Sequence, residues 1–173
     1  MFALWSMTIL VSCSEDDVMP LNEGTEITLR NTLQDPGEEE GTYPGLFGLA
    51  DDAFDEFATL SNSSVEFTAA LGQTGTPFGD INGLYSIEFT ETSIEFTLLP
   101  DATDPFWPMQ FGTFPEGKFD RYYFTFSEAH NIVESSSSDD KVRLRIDSET
   151  VIVVELSNGY DFNPGKSFRI ELE

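Results

Sequence analysis

The sequence has few basic residues, one histidine and one cysteine. Its 173 residues include 8 Lys and Arg against 32 Asp and Glu, which gives a formal net charge of −24. A field this negative repels phosphate backbones and anionic lipid headgroups, so we expect no nucleic-acid partner. A single cysteine excludes an internal disulfide and a cysteine-cluster zinc site. A single histidine excludes the multi-histidine zinc and iron sites.

Sequence motifs of catalysis and cofactor binding are also missing. The chain contains no Gly-x-Ser-x-Gly turn, no glycine-rich phosphate loop and no dinucleotide-binding fingerprint. His130 lies after a predicted strand, where we expect a surface or capping role. Two carboxylates could hydrolyse a glycosidic bond, but nothing singles out a pair among 32 acids. We therefore predict a non-enzymatic protein without a cofactor, and an envelope hydrolase is an alternative that no motif supports.

The N-terminus is apolar and uncharged over Met1–Ser12. This run is shorter than the ~20 residues that span a bilayer and is typical of the apolar core of a secretory signal peptide. It ends in Leu10-Val11-Ser12-Cys13, which resembles the lipobox of bacterial lipoproteins. The resemblance covers only this segment and indicates no domain family. It implies cleavage before Cys13 and attachment of acyl chains such as palmitate to Cys13.

The residues around this motif refine the expected destination. No Lys or Arg precedes the apolar run, so we expect that Met1 is not the true start and that a basic stretch upstream is missing. Ser14-Glu15-Asp16-Asp17 resembles the acidic export tag of lipoproteins displayed on the surface of some Gram-negative bacteria. We expect a surface-exposed outer-membrane protein, with the periplasmic face as the alternative. The acyl chains would be its only contact with the membrane.

The mature chain divides into a short tether and one domain. Residues 13–24 are acidic, contain Pro20 and Gly24 and have few apolar side chains, so we predict an acidic tether. Residues 25–173 are long enough for one domain with a hydrophobic core. The 16 phenylalanines of the chain argue against wholesale disorder.

Alternation of apolar and polar residues dominates this domain. In Lys141–Asp147 every even position is apolar and every odd one is charged, and Thr150–Leu156 follows after a tight turn. Tyr85–Thr90 and Ser93–Leu98 form a second predicted hairpin. One-sided strands favour an all-β fold, a single antiparallel β-sandwich of about eight strands. The alternative is a closed, lipocalin-like β-barrel that carries an apolar ligand. The remaining predicted strands are Glu26–Leu33, Ser64–Leu71, Arg121–Ser127 and Ser167–Leu172.

One segment departs from this alternation. Between Leu49 and Leu60 four apolar positions recur at helical spacing, with acids in the first turn: Ala50, Ala53/Phe54, Phe57 and Leu60. We therefore predict one short helix that covers an end or an edge of the sheets.

The segment Pro100–Asp120 is longer than the connections of compact domains usually are. It contains Trp107, the only tryptophan outside the signal peptide. Aromatic side chains on a secreted β-domain can stack on sugar rings or hold an apolar ligand, so a glycan or an envelope-protein partner would bind here. The simpler interpretation is that these rings fold back and cover an open end of the sandwich, because loops with this much apolar surface are usually buried. The candidate ligand-binding residues are Phe106, Trp107, Phe111 and Phe114.

Clustered acids raise the question of calcium binding. Asp161-x-Asn163-x-Gly165 has the opening spacing of a calcium loop but lacks the rest of it. Structural calcium held by Asp161 and Asn163 is therefore an alternative to the simpler interpretation, which is a solvated acidic surface.

Charge is unevenly distributed along the chain. Residues 14–100 contain 18 acids and one base, Arg30, whereas residues 101–173 contain 14 acids and seven bases. Lys141, Arg143 and Arg145 share the outward face of one predicted strand. They could receive a partner or the acidic half of the domain, but pairing with acids on neighbouring strands is the simpler expectation.

Overall fold

The computed structural model describes residues 19–34, 41–42, 55–61, 64–70, 73–76, 79–81, 85–100, 112–113, 119–157, 160–163 and 165–173. These residues contain fifteen β-strands and no helix. Accordingly, the described part of the chain offers no helix that could span a membrane. The strands are β1 (Glu26–Gln34), β2 (Gly41–Thr42), β3 (Glu56–Thr59), β4 (Phe67–Ala70), β5 (Gln73–Thr76), β6 (Gly79–Ile81), β7 (Tyr85–Thr90), β8 (Ser93–Leu98), β9 (Gly112–Thr113), β10 (Phe119–Phe126), β11 (Ser135–Ser137), β12 (Val142–Ser148), β13 (Val151–Leu156), β14 (Asp161–Phe162) and β15 (Ser167–Leu172).

The longest strand, β1, lies inside the first sheet. On one side it pairs with β10 from Ile27 to Gln34. On the other side it pairs first with β3, through Glu26–Leu29, and then with β2, through Thr32 and Leu33. Because β10 pairs in turn with β13, and β13 with β12, the sheet contains six strands. All of these pairings are antiparallel.

The second sheet has five antiparallel strands in the order β11-β15-β8-β7-β4. Two further two-stranded sheets pair β14 with β9 and β5 with β6. Within the described residues the strands form separate sheets and no closed ring. The β-sandwich prediction is therefore confirmed, and the closed barrel is not the arrangement that these residues adopt.

Aromatic rings from both sheets meet between them. The ring centroid of Phe89 lies 5.0 Å from that of Phe124, and the centroid of Tyr85 lies 5.6 Å from that of Tyr122. Both pairs are edge to face, the arrangement that aromatic rings prefer. All four rings are fully buried, so ring contacts fill the space between the two sheets. This core gives no support to the apolar cavity that a lipocalin-like carrier requires.

All eight strands predicted from alternation are present. Strands β12 and β13 form the predicted hairpin, with a bulge between Ile146 and Ser148. In β7 and β8 alternation predicts six inward side chains, and all six are buried: Tyr85, Ile87, Phe89, Ile94, Phe96 and Leu98. Seven further strands of two to four residues were not predicted, because an alternating pattern cannot emerge over so few positions. The missed strands are β2, β3, β5, β6, β9, β11 and β14.

The predicted helix over residues 49–60 is wrong in its described half. Strand β3 lies there instead, and residues 49–54 are outside the described residues. Ala58 and Leu60 pack against the core, whereas Phe57, which directly precedes Ala58, is 76% exposed. Inward and outward side chains therefore alternate with the two-residue period of a strand. The edge of β1 offers backbone hydrogen bonds to an extended segment beside it. This tertiary pairing overrides a helical spacing that rests on four apolar positions.

The N-terminal segment joins the sandwich at one end, which we call the proximal end. The main-chain N–H of Asn131 donates to Pro20 O at 2.9 Å, and its side-chain amide donates to Met19 O at 3.1 Å. Leu21 is buried in the core, so the domain includes the last residues of the predicted tether. Strand β1 starts at the proximal end and β10 ends there. The opposite, distal end, where β10 and β12 begin, lies roughly 20 Å away along strands of this length.

Glu66 links the two sheets. Its carboxylate accepts hydrogen bonds from Ser61 N at 2.9 Å and from Phe89 N at 2.6 Å. Ser61 follows β3 of the first sheet, whereas Phe89 lies in β7 of the second. Burial raises the pKa of Glu66 above its ordinary value, although both backbone hydrogen bonds lower it. The ionised carboxylate is therefore less favourable in the folded protein than in water.

Candidate binding face

The residues predicted to contact a ligand lie outside the described part of the chain. Strand β8 ends at Leu98 and β10 begins at Phe119, both at the distal end, so the segment between them joins the domain there. The glycan-binding loop therefore stays a prediction. The candidates concerned are Phe106, Trp107, Phe111 and Phe114, and the predicted lipidation site Cys13 also lies outside the described residues.

The calcium candidates occupy a strand and a turn. Asp161 lies in β14, opposite Thr113 of β9. Asn163 is exposed, and its main-chain oxygen accepts a hydrogen bond from Lys166 N at 2.9 Å across a turn in which Gly165 has a φ of +78°. This turn geometry needs glycine whether or not a metal is bound. Among the residues that the structure describes, no three His, Cys, Asp or Glu side chains are grouped as metal ligands. The calcium site stays a prediction.

Four of the chain's five arginines project from the outer face of the first sheet. They come from three strands and alternate along them with side chains that face the core. The antiparallel register brings them together with one acid and one tyrosine in two adjacent rows. From the distal end, the rows are Arg143–Glu155–Arg121 and Arg145–Val153–Tyr123–Arg30, and we call them together the arginine face.

Glu155 is the centre of the arginine face and is 0% exposed. Its Oε1 accepts a hydrogen bond from Arg121 Nε at 2.8 Å, and its Oε2 accepts one from Arg143 Nε. Arg145 Nη1 lies 3.6 Å from Oε1. Removal of a carboxylate from water costs several kcal/mol unless charged donors replace its hydration. Three guanidiniums provide that replacement here.

The three guanidiniums around Glu155 differ in exposure. The side chain of Arg121 is 14% exposed, that of Arg145 is 42% exposed and that of Arg143 is 68% exposed. Arg121 therefore belongs to the buried part of the network, whereas Arg143 and Arg145 face solvent. Arg145 also pairs with Asp147 at 2.7 Å. Burial lowers the pKa of Arg145, but the hydrogen bond to Asp147 and the charges of Asp147 and Glu155 raise it above its ordinary value overall.

Arg30 lies at the other side of the arginine face and is held by Asp55. Its Nε and Nη2 each donate to one oxygen of the Asp55 carboxylate at 2.8 Å, a bidentate pair. Asp55 directly precedes β3, so this pair fixes β3 beside β1. Among the described residues, Asp55, Asp147 and Glu155 are the carboxylates that pair with these four guanidiniums. The face thus gathers half of the chain's eight basic residues, in a chain whose net charge is −24.

Charge also differs between the two ends of the sandwich. At the distal end Lys166 pairs with Asp139 at 2.8 Å. Burial raises the pKa of Asp139, but the hydrogen bond and charge of Lys166 lower it below its ordinary value overall. The described residues of the proximal end contain seven glutamates and no Lys or Arg. These glutamates are Glu23, Glu26, Glu91, Glu128, Glu134, Glu149 and Glu173.

His130 uses both of its ring nitrogens in local hydrogen bonds. Ile132 N–H donates to Nδ1 at 3.3 Å, which leaves Nε2 to carry the proton and to donate to Ser148 O at 2.9 Å. The ring also packs edge to face against Phe126. His130 therefore fastens the segment that follows β10 to the turn between β12 and β13.

Arg143 and Arg145 were grouped from the sequence, but Glu155, the acid that both approach, was not predicted as their partner. Glu155 is the only charged residue of β13, and it ends a run of apolar residues. A lone acid in an apolar strand signals a charged partner on a neighbouring strand, because an unpaired buried charge is not tolerated. That signal becomes specific only when the pairing of β13 with both β10 and β12 is known.

Comparison with known proteins adds no relative. The chain matches no protein-family model, no curated protein and no solved structure. Its function is therefore inferred from its own residues.

Proposed function

We propose that this chain is a lipid-anchored lipoprotein of the outer membrane, exposed on the cell surface, and that its β-sandwich is a non-enzymatic binding or structural accessory that binds glycan. One observation carries the proposal: the row Arg143–Glu155–Arg121 lies towards the distal end, and the N-terminal segment joins at the proximal end. A ligand of that row approaches from the side opposite the proposed anchor.

The short connection to the anchor supports this orientation. The residues between Cys13 and Met19 span at most about 20 Å when extended, so acyl chains on Cys13 hold the proximal end close to the membrane. The described residues of the proximal end carry seven glutamates and no Lys or Arg, and anionic headgroups repel such a surface. The lipid therefore keeps the domain near the membrane while charge pushes its proximal end outward from the surface.

A binding role is supported by the way in which the described ionisable groups are used. Three guanidiniums surround Glu155, two backbone N–H groups bind Glu66, and both nitrogens of His130 are engaged. A catalytic acid, base or nucleophile must instead reach substrate. These groups give no support to the alternative of an envelope hydrolase.

Glycan is the ligand class that suits the arginine face. The outer face of a sheet is broad, and here it presents planar guanidiniums beside Tyr123. Planar donors bind sugar oxygens, and aromatic rings pack on sugar rings. Strand β8 ends and β10 begins at the same distal end, and the predicted aromatic loop lies between them in the sequence, which supports glycan as the ligand class.

Metabolic labelling tests the anchor. Cells that express the full chain are labelled with a palmitate analogue, and intact cells are treated with a protease. We expect label on the wild-type chain, none on Cys13→Ala, and digestion of the wild-type domain without lysis. Label on Cys13→Ala, or protection of the wild-type domain until the outer membrane is opened, would contradict surface lipidation.

The acidic segment after Cys13 is tested by charge removal. We expect the triple variant Glu15→Ala, Asp16→Ala, Asp17→Ala to be lipidated but protected from external protease, because the export tag is lost. The matched control removes three exposed acids from the proximal end, Glu128→Ala, Glu134→Ala and Glu149→Ala, and should remain surface-exposed. Equal exposure of both triple variants would mean that Glu15–Asp17 is not an export tag.

A further inference from the structure

The arginine face surrounds its buried acid with guanidiniums of different exposure. Arg121, the most buried of them, donates from Nε to Glu155 Oε1 at 2.8 Å. Arg143 binds the same carboxylate through Nε, and Arg145 approaches it at 3.6 Å. Arg143 and Arg145 keep 68% and 42% of their side chains exposed while they compensate Glu155, so both can also meet a ligand.

Glu155 also orients the solvent-facing guanidiniums. Among the described residues, Arg143 uses Nε for Glu155, and its side chain is 68% exposed, so its two terminal nitrogens face an incoming acceptor. Arg145 is held more completely, with Nε and Nη2 on the Asp147 carboxylate and Nη1 3.6 Å from Glu155 Oε1, and its side chain is 42% exposed. Side chains held in place before binding lose less entropy when a ligand arrives. Arg143 and Arg145 are two positions apart on one strand, so their Cα atoms lie about 7 Å apart.

The net charge of the chain does not prevent an anion from binding here. At physiological ionic strength the Debye length is about 8 Å, and the glutamates of the proximal end lie roughly 20 Å from the row Arg143–Glu155–Arg121. Screening therefore leaves the local charges to decide contact. The high acid content lowers the rate of encounter, and the arginines determine where a bound anion rests.

The shape of the face favours a polysaccharide over an acidic peptide. An extended peptide gains affinity by adding a strand to a sheet edge, where main-chain groups are unpaired. Strands β13 and β10 are each hydrogen-bonded on both sides, and β12 is the edge strand of this sheet among the described residues. The main-chain groups of an edge strand point sideways in the plane of the sheet, so the outer face itself has only side chains to offer. Planar guanidiniums at regular spacing, with Tyr123 in the adjacent row, fit a polymer of repeating carboxylates and sugar rings.

We propose that the arginine face binds a uronate-bearing polysaccharide, with Arg143 and Arg145 as the carboxylate-binding residues. This assignment rests on the proposed function and names the ligand class and the site for it.

Binding of the full chain in detergent to polygalacturonate tests the assignment. Neutral dextran is the uncharged polymer, and polyglutamate is the acidic peptide. We expect polygalacturonate to bind with an affinity that falls as salt rises, and we expect no binding of dextran. Arg143→Ala should lose about tenfold in affinity, the loss of one charged hydrogen bond. Arg143→Lys should lose less, because it keeps the charge but not the planar fork.

Arg169→Ala is the matched control, because Arg169 is a half-exposed arginine of the second sheet that pairs with an acid two positions away, as Arg145 does. We expect it to bind like the wild type, and thermal unfolding confirms that each variant is folded. Absence of polygalacturonate binding, an equal loss in Arg169→Ala, or equal binding of polyglutamate would each overturn the assignment. Dimers or filaments that dissolve when Arg143 is replaced would assign the face to a second copy instead.

Failure of this assignment and failure of the proposed function are distinguishable. If the chain binds polygalacturonate through Arg143 but carries no lipid, the ligand assignment holds and the proposed surface anchor is wrong. If the chain is lipidated and accessible to protease but does not bind polygalacturonate, the proposed location holds and the ligand assignment is wrong.

Discussion

The outer faces of the two sheets use charge in opposite ways. On the first sheet, Glu155 is fully buried beneath arginines. On the second sheet, Glu88 lies directly opposite Glu95 in the register of β7 and β8, and Arg169 of β15 lies beside Glu95. The first face is a network that excludes water from a carboxylate, whereas the second leaves its charges in contact with water. The same alternation of inward and outward residues underlies both, so alternation alone does not determine how an outward charge is solvated.

We expect the largest loss of stability where Glu155 loses Arg121, its most buried partner. Arg121→Leu leaves Glu155 with the more exposed Arg143 and Arg145, and we expect a loss of about 3 kcal/mol in the free energy of unfolding. Urea unfolding measures it. Arg169→Leu is the control on the second sheet and should cost less than about 1 kcal/mol, because its pair with Glu171 is exposed. Similar costs for the two variants would remove the distinction between the faces.

We expect a smaller change, a gain in stability, from a substitution on the second sheet. Glu88→Lys replaces a like-charge pair with an attractive one opposite Glu95, and we expect a gain of about 0.5–1 kcal/mol in unfolding free energy. Ser86→Lys is the matched control, because Ser86 lies on the same strand and face but opposite Thr97. If both variants gain equally, the benefit comes from total charge and not from the Glu88–Glu95 pair.

Added salt should weaken the charge effects of the second sheet more than those of the first. At 1 M salt the Debye length is about 3 Å, so exposed charges are screened while buried ones are largely protected. We expect the gain of Glu88→Lys to fall by at least half and the cost of Arg121→Leu to change little. Urea unfolding at 0.05 M and 1 M NaCl measures both. A cost for Arg121→Leu that disappears in salt would show that the Glu155 network is open to solvent.

The smallest expected effect concerns Glu66. Its folded pKa is raised, so the folded protein binds the proton more tightly than the unfolded chain does. Its contribution to stability therefore grows as pH falls from 7 through the raised pKa towards 4.5, the ordinary value. We expect Glu66→Gln to lack this part of the pH dependence between pH 7 and 5. Thermal unfolding of wild type, Glu66→Gln and the exposed control Glu128→Gln measures it. An unchanged slope in Glu66→Gln would assign the dependence to other acids.

The sequence predicted those parts of the fold that local pattern encodes. Tyr85–Thr90 and Ser93–Leu98 alternate over a full strand length, and both strands have the predicted bounds. Strand β3 was missed because its pairing partner, β1, lies about 30 residues earlier, and no local pattern records an available sheet edge. The helical spacing can be seen in the sequence alone, whereas Ala58 and Leu60 face the core only because β3 pairs with β1.

The candidate site was predictable only in part, for a related reason. Arg143 and Arg145 could be grouped because they are on one strand. Arg121 is 34 residues from Glu155, and only the pairing of β10 with β13 brings them together. Alternation places Glu155 outward, and its burial results from arginine side chains that reach over it from both neighbouring strands.

The position of β1 has a mechanical consequence. A force transmitted through the N-terminal segment reaches the domain at Met19–Leu21 and is then directed along β1. β1 is joined to β10 by eight antiparallel residue pairs, and β10 carries Arg121 of the arginine face. A pull between the N-terminus and a polymer held at that face therefore loads this ladder in shear, so that many hydrogen bonds must fail together before the strands part. Resistance of that kind is governed by the rate of unfolding and not by equilibrium stability.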